Sequence, residues 1–277
     1  MLLGVHCSVA GGLENAFTEA AERQIDTMQI FTRNQRQWKA KPVTAEEAAL
    51  YRKEAKSSKI KVSFSHCSYL INLAAEDPGN CEKSIQALTD EVMRCDALGL
   101  AFCVLHPGAA GSQSPQAAME KIADGLRKVL KQTADSDVMI LLENTAGQGT
   151  SVGGPFENLK TIYDLVASDR IGFCFDTCHA FAAGFDIRTE AGIKETMEQF
   201  DTVLGLDKLK VFHLNDSKGD LGSHLDRHEN IGMGKIGTTA FKYIMNHFGN
   251  VPKVIETPKE DDWDEKNLKL LRSLVKK

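Results

Sequence analysis

The sequence predicts an α/β protein folded as a single (β/α)8 TIM barrel, with its active site at the C-terminal rim of the strands. Eight apolar runs of strand length recur along the chain, and longer segments with helical periodicity separate them. Strand and helix alternating eight times over about 250 residues is typical of this fold. A doubly wound open sheet is the alternative topology.

Each predicted strand is a short, mainly apolar run, as expected for parallel strands covered on both faces. In chain order the runs are LLGVHC (2–7), TMQIFT (27–32), KVSFSH (61–66), AFCVLH (101–106), VMILLE (138–143), IGFCFD (171–176), KLKVFHL (208–214) and KVIET (253–257). Segment 81–99 illustrates the intervening helices, with Ile85, Leu88, Val92, Cys95 and Leu98 on one face. Residues 215–237 fit neither pattern, and a loop of that length is usually functional.

The composition is that of an ordinary globular protein, with 42% hydrophobic and 26% charged residues among 277. Because no Pro/Ser-rich linker divides the chain, we expect one domain spanning residues 1–277. The net charge of −5 argues against a general nucleic-acid coat but allows a local basic patch. Seven cysteines without a CxxC pair indicate reduced thiols. We expect a cytoplasmic protein that does not enter a membrane, since no apolar span or signal peptide is recognisable.

Metal-ligand residue types stand at the ends of six of the eight predicted strands. They are His66, His106, Glu143, Asp176, His213 and Glu256, separated by 40, 37, 33, 37 and 43 residues. Each spacing is close to one strand–helix unit, so a barrel places all six at its C-terminal rim. Three further candidates lie just beyond strand ends: His179, Asp226 and His228. One histidine at a strand end is commonly a hydrogen-bonded packing residue, but packing does not explain the whole set.

Imidazoles and carboxylates without thiolates suit zinc, manganese or iron, and nine such residues exceed the needs of one ion. His6 lies inside the first predicted strand, where it lines the rim or only packs, and we expect His224 and His247 to be solvated. We interpret Cys67 and Cys178, which neighbour ligands in sequence, as packing or supporting residues. The segment GMGKIG (232–237) matches a dinucleotide-binding pattern but follows no buried strand, so we expect a tight turn and no dinucleotide cofactor.

With these residues assembled, the chain resembles the endonuclease IV family of abasic-site DNA repair enzymes nearly from end to end. The segments that carry the resemblance are FTRNQRQW (31–38), SYLINL (68–73), LHPG (105–108), ENTAGQG (143–149), FDTCHAFAAGFD (175–186), HLNDSK (213–218) and DRHENIGMGKIG (226–237). One departure is Cys67, where the family commonly has Asp after the first histidine ligand.

The resemblance implies a (β/α)8 barrel with three zinc ions. It assigns His66 and His106 to the first ion, Asp176, His213 and Glu256 to the second, and His179, Asp226 and His228 to the third, with Glu143 bridging the first two. The implied reaction is hydrolysis of the phosphodiester on the 5′ side of an abasic deoxyribose, leaving a 3′-hydroxyl and a 5′-deoxyribose phosphate. A hydroxide shared between two of the ions is the implied nucleophile. We expect Glu143 to position or deprotonate the attacking water.

Recognition of double-stranded DNA must overcome the acidic net charge. The loop FTRNQRQWKAK supplies Arg33, Arg36, Lys39 and Lys41 at the active-site rim. Taken alone, it is more simply a solvated loop leading into a helix. By the resemblance, the residues that enter the duplex at the lesion are Gln35, Arg36, Gln37, Tyr69 and Leu70. Arg227, which stands between two candidate ligands, is a further candidate for a phosphate contact. We expect a monomer, because a duplex needs open access to the rim.

Two other classes of protein fit parts of the pattern. A sugar isomerase or epimerase of the xylose-isomerase-like barrels also places Glu, Asp, His and Glu at successive strand ends, with one or two divalent ions. Such a site does not need the additional residues His66, His106, His179, Asp226 and His228. A DNA-binding scaffold without catalytic activity does not explain a complete ligand set. We therefore expect about three ions per chain for the nuclease, one or two for the isomerase and none for the scaffold.

Overall fold

The computed structural model describes residues 1–276, and within them eight parallel strands form a closed barrel. The strands, in chain order, are β1 (Leu3–Cys7), β2 (Thr27–Ile30), β3 (Val62–His66), β4 (Phe102–Leu105), β5 (Met139–Glu143), β6 (Ile171–Asp176), β7 (Leu209–His213), β8 (Asp216–Ser217), β9 (His228–Glu229) and β10 (Lys253–Ile255). Around the barrel the order is β1, β10, β7, β6, β5, β4, β3, β2, while β8 and β9 form a separate antiparallel pair. The predicted (β/α)8 barrel is confirmed, and the open sheet is excluded.

The helices alternate with the barrel strands. They are α1 (Asn15–Glu22), α2 (Ala45–Ser57), α3 (Pro78–Leu98), α4 (Pro115–Gln132), α5 (Phe156–Val166), α6 (Thr177–Ala183), α7 (Glu190–Leu204), α8 (Thr239–His247) and α9 (Trp263–Ser273). The predicted helix 81–99 is part of α3, which begins three residues earlier, because Asp77 caps the Asn80 amide and Pro78 occupies the first turn. All five residues of its predicted apolar face are buried.

Two hydrophobic clusters separate the inside of the barrel from its outer layer. The inner cluster takes one fully buried residue from each of six strands: Phe64, Val104, Leu141, Cys174, Val211 and Val254. The larger cluster packs the outward faces of the strands against the helices. The interior of the barrel is therefore filled with packed side chains, and this packing supports the C-terminal ends of the strands.

The predicted strands agree with the structure to within two residues at either end. Segment 215–237 is mostly irregular, as expected, but it contains the β8–β9 pair. His224 and His247 are exposed, also as expected. Within residues 1–276, no helix has an apolar stretch long enough to cross a membrane.

Candidate metal centre

The barrel gathers all nine predicted ligands at one rim. Four of them are the last residues of their strands: His66, Glu143, Asp176 and His213. His106 and Glu256 directly follow β4 and β10. His179 lies in α6, while Asp226 and His228 belong to the segment after β7. Six of the nine residues therefore come from the ends of barrel strands, and the other three come from α6 and from the long segment after β7.

Their ligand atoms form three groups, and within each group these atoms lie within 4.8 Å of one another. The first group is His66, His106 and Glu143; the second is Glu143, Asp176, His213 and Glu256; the third is His179, Asp226 and His228. Glu143 belongs to the first two groups. Cys174 and Cys178 complete two further combinations with members of these groups. The arrangement offers adjoining positions for metal ions, with Glu143 at the junction.

In the first group, both histidines direct Nε2 at one oxygen of Glu143. Oε2 of Glu143 lies 3.2 Å from His66 Nε2 and 3.3 Å from His106 Nε2. His66 Nδ1 lies 2.8 Å from the backbone oxygen of Cys67 and must donate to it. In the neutral ring this leaves the lone pair on Nε2, facing Glu143. Cys67 therefore supports the ligand through its backbone, while its side chain is buried in the core.

The second group is built around His213. Its Nδ1 lies 3.0 Å from Glu143 Oε1, 3.3 Å from Glu256 Oε2 and 4.0 Å from Asp176 Oδ2. Asn215 connects Asp176 to Glu256: its Nδ2 donates to Asp176 Oδ2 at 2.6 Å, and its Oδ1 accepts a hydrogen bond from the backbone amide of Glu256 at 2.8 Å. The three carboxylates thus converge on one imidazole nitrogen.

The third group joins α6 to the long loop. Asp176 caps α6 by accepting the His179 amide at 2.8 Å, and this cap fixes where His179 stands. His179 Nδ1 donates to Asn144 O at 2.9 Å, and His228 Nδ1 donates to Glu256 O at 3.2 Å. In the neutral form, each ring therefore has its lone pair on Nε2, which lies 3.2 Å (His179) and 3.3 Å (His228) from Asp226 Oδ1. Both Nε2 atoms are buried and make no hydrogen bond with any group in residues 1–276.

The electrostatics of the centre favour a cation. Burial by itself would raise the pKa of Glu143, but His213, His106 and His179 hold it well below its ordinary value. Burial likewise opposes ionisation of Asp226, yet His179 and His228 keep its pKa far below normal. Conversely, the carboxylates raise the pKa of His179 well above its ordinary range, against the effect of burial. Ionised carboxylates that strongly favour protons on facing imidazoles would equally favour metal ions between them.

Three supporting side chains were not recognised in the sequence: Gln29, Asn144 and Asn215. The sequence did contain indications of these residues. Asn144 and Asn215 each lie within two residues of a predicted ligand, and Gln29 is a polar residue inside an apolar strand. His6 Nδ1 lies 3.8 Å from Glu256 Oε1, so His6 lines the rim. Asn144 Oδ1 accepts the Asp176 amide at 2.7 Å. These residues hold the ligands in place.

Of the residues predicted to contact DNA, Tyr69 and Arg227 lie beside the centre, and the others lie on the adjoining loops. Tyr69 is 65% exposed, and its ring centroid lies 5.7 Å from that of His66 and 6.1 Å from that of His106. Gln37, Arg36 and Arg227 are exposed, while Gln35 and Leu70 are half-buried. Ser68 Oγ donates to Gln35 O at 2.9 Å and ties the two loops together. Tyr69, His106, His179, Asp226 and Arg227 contribute to the wall of a cavity of about 450 Å³.

Arg33 does not belong to the exposed basic surface that the sequence suggested. Its side chain is buried, and Nη2 donates to the backbone oxygens of Gln37, at 2.7 Å, and Trp38. Arg33 therefore folds the loop back on itself. The exposed cations of this loop are Arg36, Lys39 and Lys41.

The glycine-rich segment 232–237 surrounds a side chain of its own chain. The buried Asp216 carboxylate accepts hydrogen bonds from the amides of Gly232, Gly234 and Ile236 at 2.9, 3.1 and 2.9 Å. A Cβ atom on Gly234 would lie 2.4 Å from Ser217 O, so only glycine fits there. These amides are directed at an internal carboxylate, in agreement with the predicted turn.

Comparison with known proteins identifies relatives over the whole chain. Residues 17–274 match a protein family described as "Xylose isomerase-like TIM barrel". The protein called "Probable endonuclease 4" in Chloroflexus aurantiacus is 46% identical over 277 residues, covering 98% of this chain and 97% of the relative. The protein of the same name in Trichlorobacter lovleyi is 46% identical, covering 98% of this chain and 99% of the relative.

Solved structures agree with these relatives. Endonuclease IV from Thermus thermophilus superposes with a TM-score of 0.89 at 33% identity, covering 99% of this chain and 98% of that one. A D-tagatose 3-epimerase-like protein superposes with a TM-score of 0.78, covering 99% of this chain and 97% of that one. At 18% identity the second likeness concerns the fold alone.

Proposed function

Because the chain belongs to the endonuclease IV family of xylose-isomerase-like TIM barrels, we propose that it hydrolyses the phosphodiester on the 5′ side of an abasic deoxyribose in double-stranded DNA. The products are a 3′-hydroxyl and a 5′-deoxyribose phosphate. The observation that carries the proposal is the set of three adjoining ligand groups at the open rim of the barrel. A third group, beyond what a one- or two-ion site uses, favours phosphodiester hydrolysis over sugar isomerisation.

We propose zinc at each of the three groups, with manganese or iron as chemically acceptable substitutes. The residues fit this assignment because the Nε2 atoms of His179 and His228 are buried and make no hydrogen bond within residues 1–276. When bound, such ions lower the pKa of water and stabilise charge on phosphate oxygens.

Glu143 is the proposed catalytic residue. Its two carboxylate oxygens face different histidines: Oε2 faces His66 and His106, and Oε1 faces His179 and His213. The carboxyl is fully buried, and its low pKa keeps it ionised at neutral pH. It can therefore orient a water molecule at the junction of the first two groups and accept a proton from it.

We propose that the loops around the cavity recognise the abasic site. An abasic nucleotide has lost its pairing and stacking, so moving it out of the duplex costs less than moving an intact one. Tyr69 lies beside the first group, and Leu70 follows it in the chain. Gln35, Arg36 and Gln37 lie on the loop that Ser68 ties to this segment. We propose that these five side chains fill the gap in the duplex and that Arg227 contacts a phosphate.

We further propose that residues 1–277 act as one domain and as a monomer that uses no dinucleotide cofactor. The closed barrel and its continuous outer core support the single domain. The need of a DNA duplex for unobstructed access to the rim supports the monomer.

The test is incubation with a duplex that carries one tetrahydrofuran abasic analogue, with the product ends read by mass. This analogue cannot undergo β-elimination, so any cleavage is hydrolytic. We expect a single nick that leaves a 3′-hydroxyl, with no cleavage of an intact duplex and none after metal removal. Metal-replete protein that leaves the analogue uncut would contradict the proposal, and ketose and aldose substrates would be tried next.

A further inference from the structure

A buried glutamine in the second barrel strand touches two residues of the second ligand group. Gln29 is the third residue of β2, pairs with His6 of β1 and is completely buried. Its Oε1 lies 2.7 Å from His213 Nε2, and its Nε2 lies 2.5 Å from Glu256 Oε1 and 2.8 Å from His6 Nδ1. Both ends of the amide are therefore engaged at the metal centre.

The orientation of this amide is fixed by its neighbours. With the carbonyl and amino groups exchanged, the amide oxygen would meet the Glu256 carboxylate at 2.5 Å, which is a repulsive contact between two acceptors. The amino group must therefore face Glu256, and the carbonyl must face His213. His213 Nε2 must then carry a proton, because a carbonyl oxygen can only accept.

This fixed amide determines which ligand atoms face the second group. A neutral His213 protonated at Nε2 has its lone pair on Nδ1, the atom 3.0 Å from Glu143 Oε1. The Gln29 amino group binds Oε1 of Glu256, so that Oε2 faces the second group, 3.3 Å from His213 Nδ1 and 3.5 Å from Asn215 Nδ2. Because this nitrogen faces carboxylate oxygens, a cation, either a proton on Nδ1 or a metal ion, must lie between them.

We infer that Gln29 is a positioning residue that fixes the His213 tautomer and the Glu256 carboxylate so that both bind one metal ion. The inference rests on the proposed function, since it presupposes that the second group holds an ion. Hydrogen bonds of this kind from outside the ligand set orient the ligands and raise metal affinity. Gln29 is not a catalytic residue, because the ligands separate it from the substrate side of the rim.

The test compares zinc affinity in metal-stripped proteins by competition with a chromophoric chelator. In Gln29→Met, which keeps the length of the side chain without its hydrogen bonds, we expect one zinc equivalent to bind about 10–100-fold more weakly and the others to be unchanged. The matched control is Thr27→Val in the same strand, where a buried side chain loses its 2.8 Å bond to Val62 O away from the ligands. It should leave all equivalents unchanged.

A second readout separates positioning from a general loss of packing. In zinc-loaded wild type carrying 15N-labelled histidine, NMR should show His213 bound through Nδ1 with a slowly exchanging proton on Nε2, and this signal should be lost in Gln29→Met. If that variant does not fold, Gln29→Asn, whose shorter amide cannot span both partners, should show the same changes. Unchanged zinc affinity with an unchanged His213 signal would overturn the inference. Wild type that binds no zinc would instead overturn the proposed function.

Discussion

The Asp216 carboxylate accepts a hydrogen bond from the Gly234 amide at 3.1 Å, and this contact holds the loop that carries two of the proposed ligands. Asp216 begins β8, which pairs with β9, and β9 contains His228. Four backbone amides in all donate to this carboxylate: those of Ser217, Gly232, Gly234 and Ile236. This buried carboxylate therefore holds the backbone of the loop, in addition to the packing of Ile231 and Ile236 in the hydrophobic core.

Replacing Asp216 should remove the third metal position. In Asp216→Asn, an amino group would face backbone amides, and each buried donor left unsatisfied costs about 1–3 kcal/mol. We expect the zinc content to fall by one ion per chain and the loop to become sensitive to protease. Elemental analysis and limited proteolysis measure these changes. The control is Asp220→Asn in the same loop, where the side chain is 86% exposed. An unchanged zinc content in Asp216→Asn would show that the loop does not depend on this carboxylate.

Glu143→Gln should lower the rate of cleavage without unfolding the protein. The substitution removes the ionised group that accepts the proton of the water, so we expect a loss of at least roughly 10²–10⁴-fold in nicking rate. The control is Glu91→Gln, another fully buried acid, which accepts from Thr32 Oγ1 at 2.8 Å. Burial raises the pKa of Glu91, so a neutral amide should be tolerated there with wild-type activity. Substantial nicking by Glu143→Gln would contradict its assigned role.

Tyr69→Ala should weaken binding to abasic DNA more than binding to intact DNA. The exposed ring stands beside the first ligand group, where it can stack on a base next to the lesion, and such stacking contributes about 1–3 kcal/mol. We expect about 10-fold weaker binding of the abasic duplex with unchanged zinc content, measured by fluorescence anisotropy. Tyr69→Phe keeps the ring and should bind as wild type does. Equal losses for abasic and intact duplexes would argue against a role at the lesion.

Because the pKa of Lys253 is low in the folded protein, the free energy of unfolding should increase as the pH rises above about 8. Burial lowers the pKa of Lys253 from 10.5 to about 8, and Asp26 only partly opposes this. Below that pKa both the folded and unfolded states are protonated, whereas between 8 and 10.5 the unfolded state binds more protons. The free energy of unfolding should therefore increase, by about 2 kcal/mol between about pH 7.5 and about pH 9.5. Urea unfolding of wild type and Lys253→Met measures this contribution, and parallel pH profiles for the two proteins would refute it.

The barrel and the convergence of its candidate ligands at one rim could be predicted because they depend on local patterns. A strand such as IGFCFD is apolar throughout except for its last residue, and polar residues that end parallel strands must meet at one rim. The same reasoning did not single out Gln29, because it precedes the end of β2 by one residue and its partners come from strands far away in sequence.

The prediction of an exposed basic loop was wrong at Arg33, whose side chain binds the backbone of its own loop and is buried. Arg33 and Arg36 stand in the same basic loop, yet Arg33 is buried against loop carbonyls and Arg36 is exposed. The sequence does not distinguish them, since the difference depends on how the loop turns. The sequence also did not show that Asp216 binds the amides of the glycine-rich segment. Asp216 lies 16 residues before Gly232, and nothing in the sequence distinguishes it from an ordinary polar residue.

The central claim is that three ligand groups act together, and a zinc titration of metal-stripped protein tests it most directly. Bound zinc and nicking of the tetrahydrofuran duplex are measured in the same samples. We predict that binding saturates near three ions per chain and that full activity appears only as the last ion binds. Full activity at one or two ions, or three bound ions without any nick, would contradict the account.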